Sequence, residues 1–427
     1  LLGIFLGLLT IIVLAYLGWS IIWVAPIAAG IVALTGGLDL LEAYTGPYMQ
    51  GFVDFAKTWF PVFMLGAVFG KLMDATGMAN SVAVNITKLI GTKRAILGVV
   101  IAASVLTYGG VSLFVVVFAI YPLALSLFRE AEIPRRLMPA TVALGAFTFT
   151  MTAIPGTPQI QNLIPMEYFG TTPMAAPVMG IVAAVVMFFG GYWYLIYRER
   201  KLKAAGEVFD EPTDKVDETQ DEKLPNIVLS IIPLIAVLVA LNVFGLHIIT
   251  SLIIGILLIL IFNIHKYKKF VNAINEGAVG SITAIINTCA AVGFGTVVKS
   301  VEGFGDLTQL MTGIKGSPLI SEAIAVNILA GATGSASGGM AIVLEALGEH
   351  FRESAETSGI GVEAFHRIAS LSSGGLDVLP HNGAVLTLLA VTGMTHKKSY
   401  ADIAVVAIVI PVIAIAVCIL LNMIGLV

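Results

Sequence analysis

Charge is what this chain has least of. Only 12% of its 427 residues are Asp, Glu, Lys or Arg, about half the share of an average soluble domain. So little charge cannot cover a water-soluble protein of this size. A soluble enzyme, a nucleic-acid binder and a disordered chain are therefore excluded together. Cysteine is scarce as well: Cys289 and Cys418 lie in apolar segments, with no ligand-like neighbour and no disulfide framework. Short alternating strands are missing, which excludes a membrane β-barrel. What is present is apolar, 58% of residues, with a mean hydropathy of +0.96. The apolar residues fall in many segments of roughly 20, the pattern of an all-α polytopic membrane protein in a lipid bilayer. The chain begins at Leu1 rather than Met, so a few residues are expected to precede it. Its first segment has no basic flank and no small-residue cleavage pattern, so no cleavable signal is expected.

About ten full-length spans are expected, at 2–18, 20–37, 58–76, 137–164 and 174–196, then at 225–244, 246–264, 279–299, 364–392 and 402–425. Two more apolar stretches, at about 95–127 and 318–347, carry polar middles: Thr107-Tyr108-Gly109-Gly110-Val111-Ser112 and Thr333-Gly334-Ser335-Ala336-Ser337-Gly338-Gly339. A helix interior disfavours such runs. The tip of a re-entrant hairpin accepts them, provided protein rather than lipid surrounds it. Ile154-Pro155-Gly156-Thr157-Pro158 and Leu379-Pro380-His381-Asn382-Gly383 should break spans 137–164 and 364–392 near mid-membrane. Residues 197–224, basic and then acidic from Glu207 to Glu222, read as a solvated linker between segments 1–196 and 225–427.

The two halves look related. Phe69-Gly70 recurs as Phe294-Gly295, Gly109 as Gly334, Ser112 as Ser337 and Pro155 as Pro380, each 225 residues later. Five crossings per half would bring the second half in from the opposite face, an inverted-topology repeat. In that topology 17 of the 23 basic residues fall on one side, which the positive-inside rule makes cytoplasmic. The linker is then cytoplasmic and both termini face out, in a cell inner (plasma) membrane. Lys71 and Asp74 read as an interfacial pair, Glu345 as a solvated flank, and Arg367 as an outer-face cation.

Inverted repeats with broken helices point to a secondary transporter whose site lies at mid-membrane. A helix break exposes N–H groups at one stub, which attract anions, and C=O groups at the other, which attract cations. Candidate binding groups near the breaks and tips are Thr107, Tyr108, Gly109, Gly110, Ser112, Thr157, Gln159, Asn162, Ser335, Ser337, Gly338, Ser373 and Asn382. Single hydroxyls of this kind more often bond their own backbone; it is their symmetric clustering that suggests a site. Asp377 and His381 are ionisable where ionisable residues are costly, and only the second half has them. They are candidate proton carriers, the bland alternative being a helix cap and a carbonyl-bonded imidazole. No lysine or arginine is expected inside the site, which favours a singly charged, hydroxylated acid as substrate. No metal and no cofactor beyond a coupling ion, H⁺, is expected. A sodium-coupled carrier, with Asn162 and Asn382 in an oxygen cage, remains open. So do an intramembrane hydrolase built on Ser373, Asp377 and His381, and a channel.

The run from Ser373 to Val385, with Gly393-Met394-Thr395-His396-Lys397-Lys398 after it, resembles the gluconate permease (GntP) family, more narrowly its D-3-hydroxybutyrate permease-like branch. Tyr108-Gly109-Gly110 and Ile154–Pro158 are similar to the first-half motifs of that family. The resemblance implies a proton-coupled carrier of gluconate or related hydroxy-monocarboxylates. It further implies a homodimer working as an elevator: hairpins and broken helices slide against a scaffold formed by the early spans of each half.

Overall fold

The computed structural model describes residues 1–212, 224–312, 314 and 316–427. The acidic run between 213 and 223, with Lys215 and Lys223, and Lys315 of the 300–317 loop lie outside the described residues. Every regular element among the described residues is helical. The first half comprises α1 (Leu2–Tyr16), α2 (Ile21–Thr35), α3 (Leu40–Ala75), α4 (Met78–Ile90), α5 (Ala95–Tyr108), α6 (Leu113–Glu130), α7 (Met138–Ala146), α8 (Phe149–Thr152), α9 (Ile160–Phe169) and α10 (Pro177–Ala204). The second comprises α11 (Ile227–Asn242), α12 (Ile248–Phe262), α13 (Tyr267–Lys299), α14 (Gly303–Thr312), α15 (Pro318–Thr333), α16 (Ala336–Ser358), α17 (Val362–Ser373), α18 (Gly383–Thr392) and α19 (His396–Met423).

Element order repeats: α5, α6 and α9 start 223 residues before α15, α16 and α18. Local chemistry sets many of the boundaries. Ser20, Asp39, Asn226, Ser317 and Asn382 each accept a backbone N–H at a helix start. Pro177 and Pro318 open helices at the position where proline loses nothing. The most extensive packing joins α3 to α13, one long helix from each half. Their approach needs small residues: a Cβ on Gly277 would lie 2.7 Å from the backbone of Val68, and one on Gly293 2.8 Å from Tyr48 O. On α10, Ile181, Val185, Phe189, Trp193 and Tyr197 form an exposed stripe at every fourth residue, a face suited to lipid.

Lengths differ from the sequence reading. Among the described residues, five helices are long and apolar enough to cross a bilayer singly: Leu40–Ala75, Leu113–Glu130, Pro177–Ala204, Ile264–Lys299 and His396–Met423. The helices α1, α2 and α12 have only 15 residues, about 22 Å against a hydrocarbon core of about 30 Å. The expected span 279–299 is the apolar end of a helix that starts at Tyr267; Lys268, Lys269, Asn272 and Glu276 hide its first turns from a hydropathy reading. The amphipathic helices α4 and α14 were invisible for the same reason. Lys71 forms its ion pair with Glu276 at 3.4 Å, across the α3–α13 contact, rather than with Asp74. The linker is not wholly solvated. Glu207, Asp210 and Glu211 pair with Arg136 (3.3 Å), Arg135 (3.1 Å) and Arg129 (2.7 Å), which docks its start onto the base of α6 and α7.

Candidate functional site

Helices α5 and α6 form one hairpin and α15 and α16 another, each with its tip against a break. At the first tip, Gly110 turns the chain at φ 98°. A Cβ there would lie 3.4 Å from Pro158, in the first break. Tyr108 Oη donates to Pro155 O at 3.0 Å, and Gln159 Nε2 donates to Thr107 O (2.6 Å) and Val111 O (3.3 Å). Gly109 lies so close to α11 that a Cβ would sit 2.7 Å from Leu234. Asn242, at the end of α11, donates to Gly156 O at 2.9 Å. Ser112 stands at the start of α6 without a side-chain capping bond.

The second tip follows the same plan. Gly334 turns at φ 60°, and the His381 ring lies against it, 2.9 Å from where a Cβ would stand. Asn382 Nδ2 donates to Gly334 O (2.9 Å) and Asp377 O (2.8 Å), while its Oδ1 accepts from Val385 N. Gln159 and Asn382 thus occupy equivalent places, each at the start of the stub after the break, each sending an amide into its hairpin tip. Both amides bond backbone carbonyls at the tips. Ser335 accepts from Gly338 N at 3.1 Å, so that pair closes the second tip on itself. Ser337 reaches Thr288 of α13 at 3.4 Å.

Between the breaks sits a cation that the sequence reading did not expect there. Arg367 is fully buried, not an outer-face residue. It donates to Asn162 Oδ1 (2.9 Å), Thr152 O (3.3 Å) and Ala175 O (2.7 and 3.2 Å). Helix α17 begins at Val362, so Arg367 lies more than a turn inside and is covered by first-half elements rather than water. It draws together the carbonyl end of α8 and the start of α9, a favourable place for a cation. Asn162 Nδ2 meanwhile holds Thr157 O (3.0 Å) and Pro173 O (2.9 Å), and His366 bridges Asn162 and Thr171. Of this cluster the sequence reading singled out Asn162 alone; Arg367, His366 and Thr171 join it only by assembly from both halves.

Many of the candidate binding groups therefore hold the breaks in shape. Thr157 donates to Thr150 O (2.9 Å) and Ser373 to Ser370 O (2.7 Å). A serine whose proton is directed at a carbonyl one turn away is not poised as a nucleophile, which weakens the hydrolase reading. Some polar atoms have no partner among the described residues. These include Thr107 Oγ1, Ser372 Oγ and Asp377 Oδ1, all in buried residues at the tips and breaks. No group of three or more His, Cys, Asp or Glu fit for a metal ion is found among the described residues. Glu345, expected on a solvated flank, accepts from Tyr168 Oη at 3.2 Å.

The arrangement has relatives. Residues 1–248 match the model of the GntP family permeases. The chain is 41% identical to "Uncharacterized transporter YxjC" of Bacillus subtilis (strain 168), covering 97% of both chains. It is 27% identical, over 49% of its length and 43% of the relative's, to "Uncharacterized permease" of Haemophilus influenzae (strain ATCC 51907 / DSM 11121 / KW20 / Rd). Among solved structures, the crystal structure of the YdaH transporter of Alcanivorax borkumensis superposes with a TM-score of 0.63 at 13% identity, covering 91% of this chain and 90% of that one. At that identity the likeness concerns the fold alone. With a family model matched over more than half its length and a full-length transporter relative, this chain belongs to the GntP family of permeases, and it is a multi-pass membrane transporter.

Proposed function

We propose that this permease imports a small hydroxy-monocarboxylate, of the 3-hydroxybutyrate or gluconate type, together with a proton. The observation that carries the reading is the chemistry left over at the breaks. Arg367 directs four of its five N–H donors at the chain's own oxygens, so it does not stand open for a second anionic group. Without a partner among the described residues are the hydroxyls of Thr107 and Ser372, one oxygen of the buried Asp377 carboxyl, and the amide oxygens of Gln161, Asn242 and Asn327. Helix N-termini at Ser112, Gln159, Ser335 and Asn382 add N–H donors at the tips and breaks. That set suits one carboxylate with hydroxyls beside it. An anionic solute and an ionised Asp377 repel each other, whereas a protonated Asp377 donates a hydrogen bond to the solute. Loading of proton and solute is thereby linked. His381, against the Gly334 turn, is the second titratable group there.

Movement follows an elevator in this reading. Helices α1–α3 and α11–α13 form the scaffold and, in a homodimer, the contact between subunits; the hairpins and broken helices slide. The repeats are inverted across an inner membrane, the linker is cytoplasmic, and both termini face out. The test is uptake of gluconate, 3-hydroxybutyrate, lactate and citrate into proteoliposomes under an inward proton gradient. Gluconate or 3-hydroxybutyrate should accumulate, citrate should not, and replacing sodium by choline should change nothing. Asp377→Asn and His381→Ala should weaken the coupling; full proton-driven accumulation in both variants removes those residues from the mechanism. Uptake that collapses in choline makes sodium the coupling ion.

A further inference from the structure

Glu322 is a buried acid that neither the family motifs nor the breaks account for. It lies in the second turn of α15, the entering arm of the second hairpin, eleven residues before the Thr333 tip. That is about 16 Å along the helix axis, outside the site described above. The residue is 0% exposed, and neither carboxyl oxygen has a hydrogen-bond partner among the described residues. Leu319, Val326 and Leu329 share its helix face and are buried too. The first hairpin carries Val99 at the equivalent position, 223 residues earlier, so the acid belongs to the second half alone.

The elements packed against α15 offer it no charge partner. On α17, Arg367 and His366 are directed at Asn162. On α16, Glu345 accepts from Tyr168 and Glu349 faces Lys299; the His350 ring is tilted against Phe351, and Arg352, Glu353 and Glu356 lie further along on exposed positions. On α19, Asp402 pairs with Arg198 and Cys418 donates to Met179 O. On α14, Asp306 faces the N-terminal amine of α1. An isolated carboxylate in such a place costs far more than a neutral unsatisfied polar group. The acid is therefore held neutral. A sodium ion is no substitute, because it needs a cage of oxygens and neither Glu322 oxygen has a polar neighbour within bonding distance.

We infer that Glu322 is a second proton-carrying site of this transporter, loaded in the conformation described here and emptied when the hairpin moves and water reaches its base. The inference rests on the proton-coupled reading above and adds one proton per cycle to it. A neutral acid that merely fills space would be replaced by glutamine without consequence. For each proton carried with the solute, a gradient of one pH unit supports about tenfold accumulation. Glu322→Gln should lower the gluconate or 3-hydroxybutyrate accumulation reached per pH unit by about that factor, while solute exchange at equal pH on both sides persists. In the infrared, the protonated-carboxyl C=O absorption of purified wild type at neutral pH should contain a band, separate from any that Asp377→Asn removes, that Glu322→Gln removes. The band needs no substrate, so it separates the two readings. If the band is present but the wild type shows no proton-driven uptake, the transport reading fails and Glu322 is only a buried acid. A Glu322→Gln variant that keeps wild-type accumulation per pH unit, or keeps the band, overturns the inference while leaving the transport reading in place.

Discussion

Arg367 illustrates how a residue's neighbours set its role. In sequence it follows Glu363 and His366 at the start of a span, and a reader places it in water. In the structure it is the largest fully buried side chain, and its guanidinium is held by one side-chain oxygen and two backbone carbonyls from the other half. Removing one partner of a buried charged network costs about 3–5 kcal/mol, because the remaining groups are left unpaired. Arg367→Ala should therefore lower the thermal unfolding midpoint of the detergent-purified protein sharply, and the amide partner variant Asn162→Ala should do so to a lesser degree. The break that holds Asp377 and Asn382 was legible without coordinates, because proline and glycine inside an apolar run interrupt a helix. Arg367 and Glu322 were not, since nothing local distinguishes a covered cation or acid from a solvated one.

Elements show the same division. Both hairpins and both breaks follow from glycine and proline in apolar runs: α5 and α15 end, and α6 and α16 start, within a few residues of those signals. Amphipathic α4 and α14 carried no such signal, and the docking of the linker could not be read at all, since ion pairs between segments leave no mark in either segment alone. The linker contact is titratable. The hydrogen bond from the Arg129 guanidinium holds the Glu211 carboxyl below the usual glutamate range. A lowered folded-state value means that the contact is fully formed at neutral pH and is lost as the pH falls through the carboxylate range. Backbone hydrogen exchange over residues 204–211 should accelerate on acidification, and should already be fast at neutral pH in Glu207→Gln/Asp210→Asn/Glu211→Gln. High salt should act in the same direction, since exposed pairs are screened.

At the scale of the molecule, α3 and α13 cross closely through glycine contacts, and the second hairpin packs on α13 through α16. If the hairpins slide, that second contact must change. A Cβ on Gly338 would lie 3.8 Å from the Cβ of Ala291, the mean separation in a disulfide being about 3.8 Å. Oxidising a Gly338→Cys/Ala291→Cys variant should arrest uptake, and reduction should restore it. Undiminished uptake by the fully crosslinked protein would rule out sliding at this contact. The sequence by itself determined the helical membrane class and the places where glycine and proline interrupt the helices, because each rests on hydropathy or on backbone chemistry local to a few residues. The tertiary structure alone decided which polar groups brace the breaks, which stay without a partner among the described residues, and that Glu322 and Arg367 are buried. Burial and partnership are properties of pairs brought together from distant parts of the chain, and no single stretch of sequence contains them.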